Sequence, residues 1–537
     1  MQGVEIKSTS LADLIAAQEE HGDAFAPMNY AVWRAALQQD LTPENLAKVG
    51  EAFFDKWQEI EGIKLVLETI SANPNDFVLT MAAAILLFHR TTRYDIVVTL
   101  LRKAVLLRPE IYPAQLMLAD ALLVKDDINA ACKQFAKTLK LFPEHKKETN
   151  RNLIVHLVDC GYPREALDIA NTVLTEDGPT STLLNDIACA MQRLNHSGTA
   201  LSVYKQALEL DPNCAASKFG HAATALKNGQ YATGFVEYAG RSLKITPATK
   251  KIADLPRLMP GQNVAGKKII CYQEQGMGDT LNFCRFALVL RERGADVALA
   301  VPPALIRLFE RSFPGITFFS TLGEIALEGF DYSTPIPDLP GLAGVKNAAD
   351  LLVASPYLKA DSGEVEKFGT LLPARRPRVG LIWAGECRAN VADYLADQRR
   401  STKLKEIEEA FGPIDATLVS LQLGKPREEL VAWQGQPIFD PMGEVHDMAD
   451  TAAIMENLDL IISVDTSTAH LAGGLARPVW MVSRWDACWR WGDDGESTPW
   501  YPTMRIFRSQ ERAFKPVLAR VGAALREWCE DWRVYVV

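Results

Sequence analysis

Prolines stand at positions 74, 109, 143, 179, 212 and 247, at intervals of 35, 34, 36, 33 and 35 residues. A rhythm this regular is the mark of stacked like units rather than of one closed domain. Proline is expected just past a helix end, because it cannot continue the helix. Residues at fixed offsets before the prolines point to a pair of helices per unit. Two before stand Leu107, Leu141, Leu210 and Ile245, and four before stand Val105, Leu139, Leu208 and Leu243. Twelve before stand Val97, Ala131, Ala200 and the bulkier Phe235; twenty-four before stand Ala119, Ala188 and Ala223. Small residues at the inner offsets let paired helices approach closely, and the aliphatic positions are expected to seal the stack. Polar breaks at Lys125-Asp-Asp127, Asn195-His-Ser-Gly198 and Asn228-Gly229 fall where the turn inside each pair belongs.

A period of ~34 residues with this content resembles the tetratricopeptide repeat (TPR). The reading is an α superhelix over residues 61–250, preceded by a helical cap over 1–60. Stacked helix pairs make a concave face that suits a protein or peptide; a passive spacer is the plainer alternative.

Beyond Pro247 the pattern changes to short apolar runs alternating with helical stretches, the signature of α/β units with parallel sheets. Expected strands are Lys268–Tyr272, Asp296–Val301, Thr317–Ser320 and Asp331–Ile336 in a first block. In a second they are Arg378–Trp383, Ala416–Gln422, Leu460–Val464 and Pro478–Val482. The blocks give Rossmann-like halves at 265–355 and 375–510, joined near Pro373-Ala-Arg-Arg-Pro377. A helix follows over 511–537, able to pack back across the pair.

The composition is that of a globular chain, 48% hydrophobic and 23% charged. A net charge of -10 argues against nucleic acid or an anionic membrane as the main partner. The longest apolar run, Phe77 to Phe88, is too short to span a bilayer and reads as a buried helix. The first residues lack a signal-peptide pattern. Nine cysteines are scattered without a C-x-x-C pair, which suits reduced thiols. A cytoplasmic location is the expectation.

Two turns carry the chemistry. The apolar run Leu458 to Val464 ends in Asp465, Thr466, Ser467 and Thr468, and a helix is expected to open at Ala469, with His470 following. Backbone N–H groups at a helix start have no internal partner and favour an anion, so a phosphate fits there. The plainer reading is a capped strand–helix turn with a core histidine. The second turn, Gln275-Gly-Met-Gly-Asp279-Thr280, follows the strand Lys268–Tyr272. Gly276 and Gly278 permit close backbone approach. Asp279 either points a carboxylate into a cleft or caps a helix starting at Thr280. Two such turns suggest a ligand held between two α/β domains.

The segments Gln273-Glu-Gln-Gly-Met-Gly-Asp279-Thr280, Gly380-Leu-Ile-Trp-Ala-Gly385, Ser463-Val-Asp-Thr-Ser-Thr-Ala-His470-Leu-Ala, Trp489-Arg-Trp491 and Ser497-Thr-Pro-Trp-Tyr-Pro502 resemble, in order, those of TPR-linked glycosyltransferases. Their C-terminal half is related to heptosyltransferases and has a GT-B fold of two facing Rossmann-like domains. Some are flagellin glycosyltransferases that transfer a nonulosonic sugar such as pseudaminic acid. The resemblance spans about residue 215 to the end. It implies Asp279 as general base and Gln275, Gly276, Gly278 and Thr280 beside the acceptor cleft. It also implies a donor site of Trp383, Gly385, Arg399, Arg400, Asp465, Thr466, Ser467, Thr468 and His470.

The donor implied is a nucleotide sugar, CMP-linked for a nonulosonic acid, with no cofactor. No metal is expected, because no acidic pair of the metal-dependent kind follows a strand. The implied partner is a protein acceptor, flagellin in particular. The stretch Glu386 to Asp397 departs from the family pattern, and there Arg399 and Arg400 are also readable as a solvated charge run. Trp485, Trp489 and Trp491 either stack on a base or sugar or pack the tail helix. Asp447 and Asp450 are either near a ribose or helix caps. An acceptor of polysaccharide or lipid-linked type, and a non-catalytic scaffold, are the rival readings.

Overall fold

The computed structural model describes residues 10–21, 29–56, 58–353, 355–386 and 391–536. The chain divides into two compact units, Met1–Val173 with Cys387–Ala396 and Leu174–Glu386 with Asp397–Val537.

The first unit is helical: α1 (Leu11–His21), α2 (Tyr30–Gln39), α3 (Pro43–Asp55), α4 (Glu59–Ala72), α5 (Phe77–Arg90), α6 (Tyr94–Leu107), α7 (Tyr112–Val124), α8 (Ile128–Leu141), α9 (Lys146–Asp159) and the start of α10 (Pro163–Asp177). Local chemistry sets the starts. Thr42, Asp76 and Asp127 each accept from the backbone N–H three residues on, a cap that contributes about 1 kcal/mol. Left-handed residues close the inner turns at Asp126 (φ 70°) and Gly161 (φ 85°), and again in the second unit at Asn195 (φ 61°) and Gly229 (φ 75°). Their spacing of 35, 34 and 34 residues restates the proline period in the backbone. His156 on α9 meets Asp120 on α7 at 3.1 Å. Tyr394, on the stretch Val391–Ala396 that belongs to this unit, lies 4.9 Å from the ring of Tyr94.

The repeat reading is right in period and needs correction in detail. The inner offsets are the sealed ones: Val97, Ala131, Ala200 and Phe235, with Ala119, Ala188 and Ala223, are all buried. Of the residues two before proline, Leu107 is half-buried and the other three are exposed. Leu141 is 48% exposed, Leu210 55% and Ile245 48%. Leu141 and Leu210 are the last residues of α8 and α12, where no following turn covers them, and Ile245 lies in the stretch between α14 and α15. Positions five and eight before proline take that part, with Ala104, Thr138 and Ala207, and Leu101, Phe135 and Tyr204, buried. Pro247 ends no repeat; it opens a separate helix. Along Phe77–Arg90 the helix is not wholly buried, since Val78 and Ile85 are exposed.

The second unit begins with α11 (Ser181–Arg193), α12 (Ser197–Leu210), α13 (Ala215–Lys227), α14 (Tyr231–Tyr238) and α15 (Pro247–Ala253). Strand and helix then alternate: β1 (Lys268–Tyr272), α16 (Met277–Phe283), α17 (Ala287–Glu292), β2 (Asp296–Val301), α18 (Pro303–Ser312), β3 (Thr317–Ser320), β4 (Tyr332–Pro335), α19 (Leu339–Ala343) and α20 (Ser362–Leu371). After the linker come β5 (Arg378–Ile382), α21 (Val391–Arg400), α22 (Leu404–Phe411), β6 (Thr417–Ser420), β7 (Ile438–Phe439), α23 (Met448–Glu456), β8 (Leu460–Val464), α24 (Ser467–Gly474), β9 (Val479–Ser483), β10 (Met504–Arg508) and α25 (Lys515–Val536).

Among the described residues these strands form two parallel sheets, ordered β3-β2-β1-β4 and β10-β9-β8-β5-β6-β7. The second is the 3-2-1-4-5-6 order of the dinucleotide-binding fold, and the first is its truncated counterpart. The pair is a GT-B type arrangement, as the sequence indicated. β7 and β10 went unread because one is two residues long and the other follows a polar loop. The tail helix does not cross to the first half. Val517, Leu518, Val521 and Leu525 pack with Leu404, Ile407 and Trp480 of the second half's own core. One core runs from Leu226, Phe235 and Tyr238 of the repeat helices into both α/β halves.

Candidate functional site

Each sheet changes direction between its first strand and the strand on that strand's other side. Ligands in open α/β sheets bind outside the carboxyl ends of the strands at this switch point. In the second sheet the loops concerned are Trp383–Gly385, after β5, and Asp465–Thr466, after β8. In the first, the turn after β1 holds Gln275 and Gly276.

The β8 turn is short because α24 starts at Ser467, two residues earlier than expected, with Thr466 extended at the N-cap (φ −134°). Ser463 Oγ lies 3.3 Å from Thr466 Oγ1. The Ala469 N–H bonds Thr466 O at 3.1 Å, whereas among the described residues the N–H groups of Ser467 and Thr468 have no backbone acceptor. Asp465 and Ser467 are half-buried, and Thr466 and Thr468 are buried. The β1 turn likewise opens its helix early, at Met277 with Gly276 as N-cap, so Asp279 is no cap. It sits in the first turn, and its carboxylate bonds Arg490 from the second half. The Arg490 guanidinium lies between the rings of Phe283 (4.8 Å) and Trp489 (4.4 Å).

The two turns meet. A Cβ on Gly278 would stand 2.8 Å from His470 Cδ2 and 3.5 Å from Ser467 Cα, so only glycine allows this approach. His470 is 6% exposed, stacks on Trp491 (centroids 5.4 Å apart), and bonds Tyr501 Oη through Nδ1 at 2.9 Å. Burial, then the charges of Arg490 and Arg285, hold its pKa well below the ordinary histidine range, so the ring is neutral. Here α16 and α24 are in contact at Gly278. Two hollows lie away from it, of about 560 Å³ beside Arg34, Lys64 and Glu68 and about 230 Å³ beside Trp485, Asp493 and Arg508.

Other expected site residues are placed differently. Trp383 is fully buried in the sheet core, and its N–H and C=O are taken by Gln422 Oε1 and the Thr402 N–H. Gly385 donates to Ser401 Oγ and lies under the Arg400–Asp397 pair. Arg399 and Arg400 are in the last turn of α21 rather than a loop. Arg399 is no solvated charge: it is buried 3.0 Å from Asp486. Gln275 donates to Tyr238 Oη at 2.8 Å, and Thr280 is buried with its hydroxyl on Gly276 O. Trp489 and Trp491 pack, but against Phe235, Tyr238, Phe283 and His470 rather than the tail helix. Asp447 is the N-cap of α23 and, with Asp450, pairs with Arg307 of α18. Within Glu386 to Asp397, residues 387–390 lie outside the described ones.

Sequence reasoning missed Asn282, Arg285, Arg490, Asp486 and Tyr501. Asn282 had a signal, being three residues from Asp279 and so on the same helix face. Asp486 is a buried hub, 3.1 Å from Arg193, 3.0 Å from Arg399 and 3.2 Å from Arg484. Beside it the α11–α12 turn docks on the second half. Asn195 donates to Trp485 O at 2.7 Å, and Ser197 Oγ donates to Asp493 at 2.7 Å. Among the described residues no three His, Cys, Asp or Glu side chains gather as a metal site, and no helix is long and apolar enough to cross a membrane.

No protein-family model matches the chain. Protein FlbA of Caulobacter vibrioides is 29% identical over 344 residues, 58% of this chain and 55% of the relative. The chain thus spans about half the length of that curated relative. Among solved structures, the ADP-heptose LPS heptosyltransferase II of E. coli matches 49% of this chain and 99% of its own, at 15% identity and a TM-score of 0.34. The iron-containing dodecameric glycosyltransferase TibC of enterotoxigenic E. coli matches 51% and 77%, at 12% identity and a TM-score of 0.32. Scores this low leave the functional reading to rest on the chain's own geometry.

Proposed function

We propose that this chain is a glycosyltransferase. It takes a nucleotide-activated sugar at the β5/β8 crevice and delivers the sugar to a protein bound by its helical repeats. One observation carries the reading. The strand order puts the open-ended helix start of α24 at the switch point of a dinucleotide-type sheet, and Asp279 reaches the same place from the facing half. In transfer, the acceptor hydroxyl attacks the anomeric carbon, the bond from that carbon to the phosphate oxygen breaks, and the hydroxyl proton goes to Asp279. The N–H groups of Ser467 and Thr468, with His470, take the charge that develops on the leaving phosphate. Asp279 is tied to Arg490 in this structure, so taking the acceptor proton requires the carboxylate to leave that pair.

The finer reading is a cytoplasmic enzyme with flagellin as acceptor and a CMP-linked nonulosonic acid as donor, working without metal. It is supported by the sequence resemblance and by a repeat array of the kind that binds proteins. The test is modification of flagellin by the purified chain with each sugar nucleotide, with and without Mg²⁺ or chelator, read by intact mass. Transfer that Asp279→Asn abolishes while the variant keeps its melting temperature supports the reading. Transfer undiminished in Asp279→Asn removes Asp279 from the chemistry. A second reading, a non-catalytic scaffold, is favoured by the Asp279–Arg490 pair itself, since it engages the carboxylate with a guanidinium of the same chain. Nucleotide binding without transfer to any acceptor would select it.

A further inference from the structure

A buried polar chain stands directly behind the α24 turn. Asn282 of α16, fully buried, donates from Nδ2 to Tyr501 Oη at 2.7 Å, and the same nitrogen lies 3.4 Å from His470 Nδ1. Tyr501 Oη in turn is 2.9 Å from His470 Nδ1. The phenol oxygen receives the amide proton, so its single proton is free to go to Nδ1. Nδ1 then faces two donors and carries no proton of its own. The other ring nitrogen, Nε2, has no hydrogen-bond partner among the described residues and is not sealed from solvent. It lies 3.4 Å from where a Gly278 Cβ would stand, and Ser467 Cα is 3.5 Å from that same point. This ring edge therefore faces Gly278, at the place where α16 meets the start of α24.

We propose that Asn282 and Tyr501 are positioning residues that fix His470 with its proton on Nε2, so that the ring offers one neutral N–H to a phosphate bound at the start of α24. The inference rests on the nucleotide-sugar reading for its ligand, though not for the state of the ring. The charged and titratable groups around His470 agree with it. Arg285, 0% exposed, is held over Tyr357 (4.2 Å) and Tyr501 (5.1 Å), with Nε on Asn282 O and Nη1 on Trp500 O. Arg490 faces the ring from the Trp489–Trp491 turn, Tyr501 from the loop before β10, and Asp279 reaches it only through Arg490. The two guanidiniums oppose a second ring proton. A neutral donor suits a leaving phosphate: it strengthens as charge develops on the oxygen and changes nothing across physiological pH.

The test is a long-range proton–nitrogen correlation spectrum of the full chain with labelled histidine, His470 being assigned by its loss in His470→Gln. The expected signature is a pyridine-like Nδ1 and a pyrrole-like, protonated Nε2, unchanged from pH 8 to pH 5.5. Tyr501→Phe should mix the tautomers without loss of fold. Calorimetric titration with inorganic pyrophosphate should then weaken about tenfold in both His470→Gln and Tyr501→Phe, the size of one hydrogen bond to an anion. A proton on Nδ1 in the wild type, or an imidazolium at pH 7, overturns the inference even if nucleotides bind. The expected tautomer with pyrophosphate binding indifferent to both substitutions overturns it as well. If nucleotide binding persists in either case, the proposed function survives.

Discussion

Asp486→Asn is the most informative single change to the framework. The side chain is fully buried and receives Arg399, Arg193 and Arg484 at 3.0, 3.1 and 3.2 Å. Burial alone would raise its pKa, but Arg484, Arg399, Arg193 and Lys227 outweigh it and the net shift is downward. The amide keeps the shape and removes the charge, leaving several buried cations to repel one another. Breaking a buried ion pair by removing one partner costs about 3–5 kcal/mol. The second unit has roughly 350 residues. At about 2.1 cal/mol/K of unfolding entropy per residue, 4 kcal/mol lowers its melting temperature by about 5 °C. Calorimetry of wild type and variant at pH 7 checks this. Because the folded pKa lies below the unfolded one, the wild-type advantage holds above pH ~4 and shrinks as pH falls through the folded value. A variant that melts within a degree of wild type at pH 7 would refute the view that this carboxylate binds the repeat helices to the second α/β half.

Lys227, beside Asp486, has a pKa pushed down to about 8, by burial first, against the pull of Asp493 and Asp486. The unfolded lysine holds its proton to about pH 10.4, so stability should rise with pH above 8, by about 3 kcal/mol at most. Lys227→Met should remove that slope in urea titrations at pH 7.5 and 9.5. His156 is shifted the other way: burial lowers its pKa, but the bond and charge of Asp120 raise it overall. Its contribution is present below pH ~6.5 and is lost as pH rises through the folded value, so His156→Gln should flatten the pH dependence of first-unit stability seen by hydrogen exchange. Gly278→Ala puts a methyl 2.8 Å from His470 Cδ2 and should cost about 1–3 kcal/mol and displace the ring. A Gly278→Ala variant with unchanged melting and an unchanged His470 resonance would show that the α16–α24 contact is looser than described.

The repeats were legible because their signal is redundant: period, small residues at Ala131, Ala188 and Ala200, and left-handed turns all fall in one register. The chain ends of that pattern were not, because proline before a helix and proline after one look alike in sequence, as Pro247 shows. The strands β1, β5 and β8 were legible as apolar runs bounded by glycine or hydroxyl-rich turns. Helix starts were misplaced by two or three residues at Ser467 and Met277, where neither N-cap, Thr466 or Gly276, makes a side-chain cap bond. At the site, Asp279, Gly278, Ser467 and His470 were read from local motifs and do come together. Their partners could not be read. Arg490 and Tyr501 reach Asp279 and Asn282 from 211 and 219 residues further on, and pairing at that distance is set by the packing of two halves rather than by spacing.

Binding of a nucleotide at the start of α24 is read by thermal melts of the full chain with CMP, UDP, GDP and ADP. A nucleotide at 100 times its dissociation constant stabilises the folded state by about 2.7 kcal/mol. The melting temperature should rise clearly with at least one of them, and the rise should be lost when Ser467 and Thr468 are replaced by alanine. A well-folded wild-type chain that melts identically with all four would contradict it.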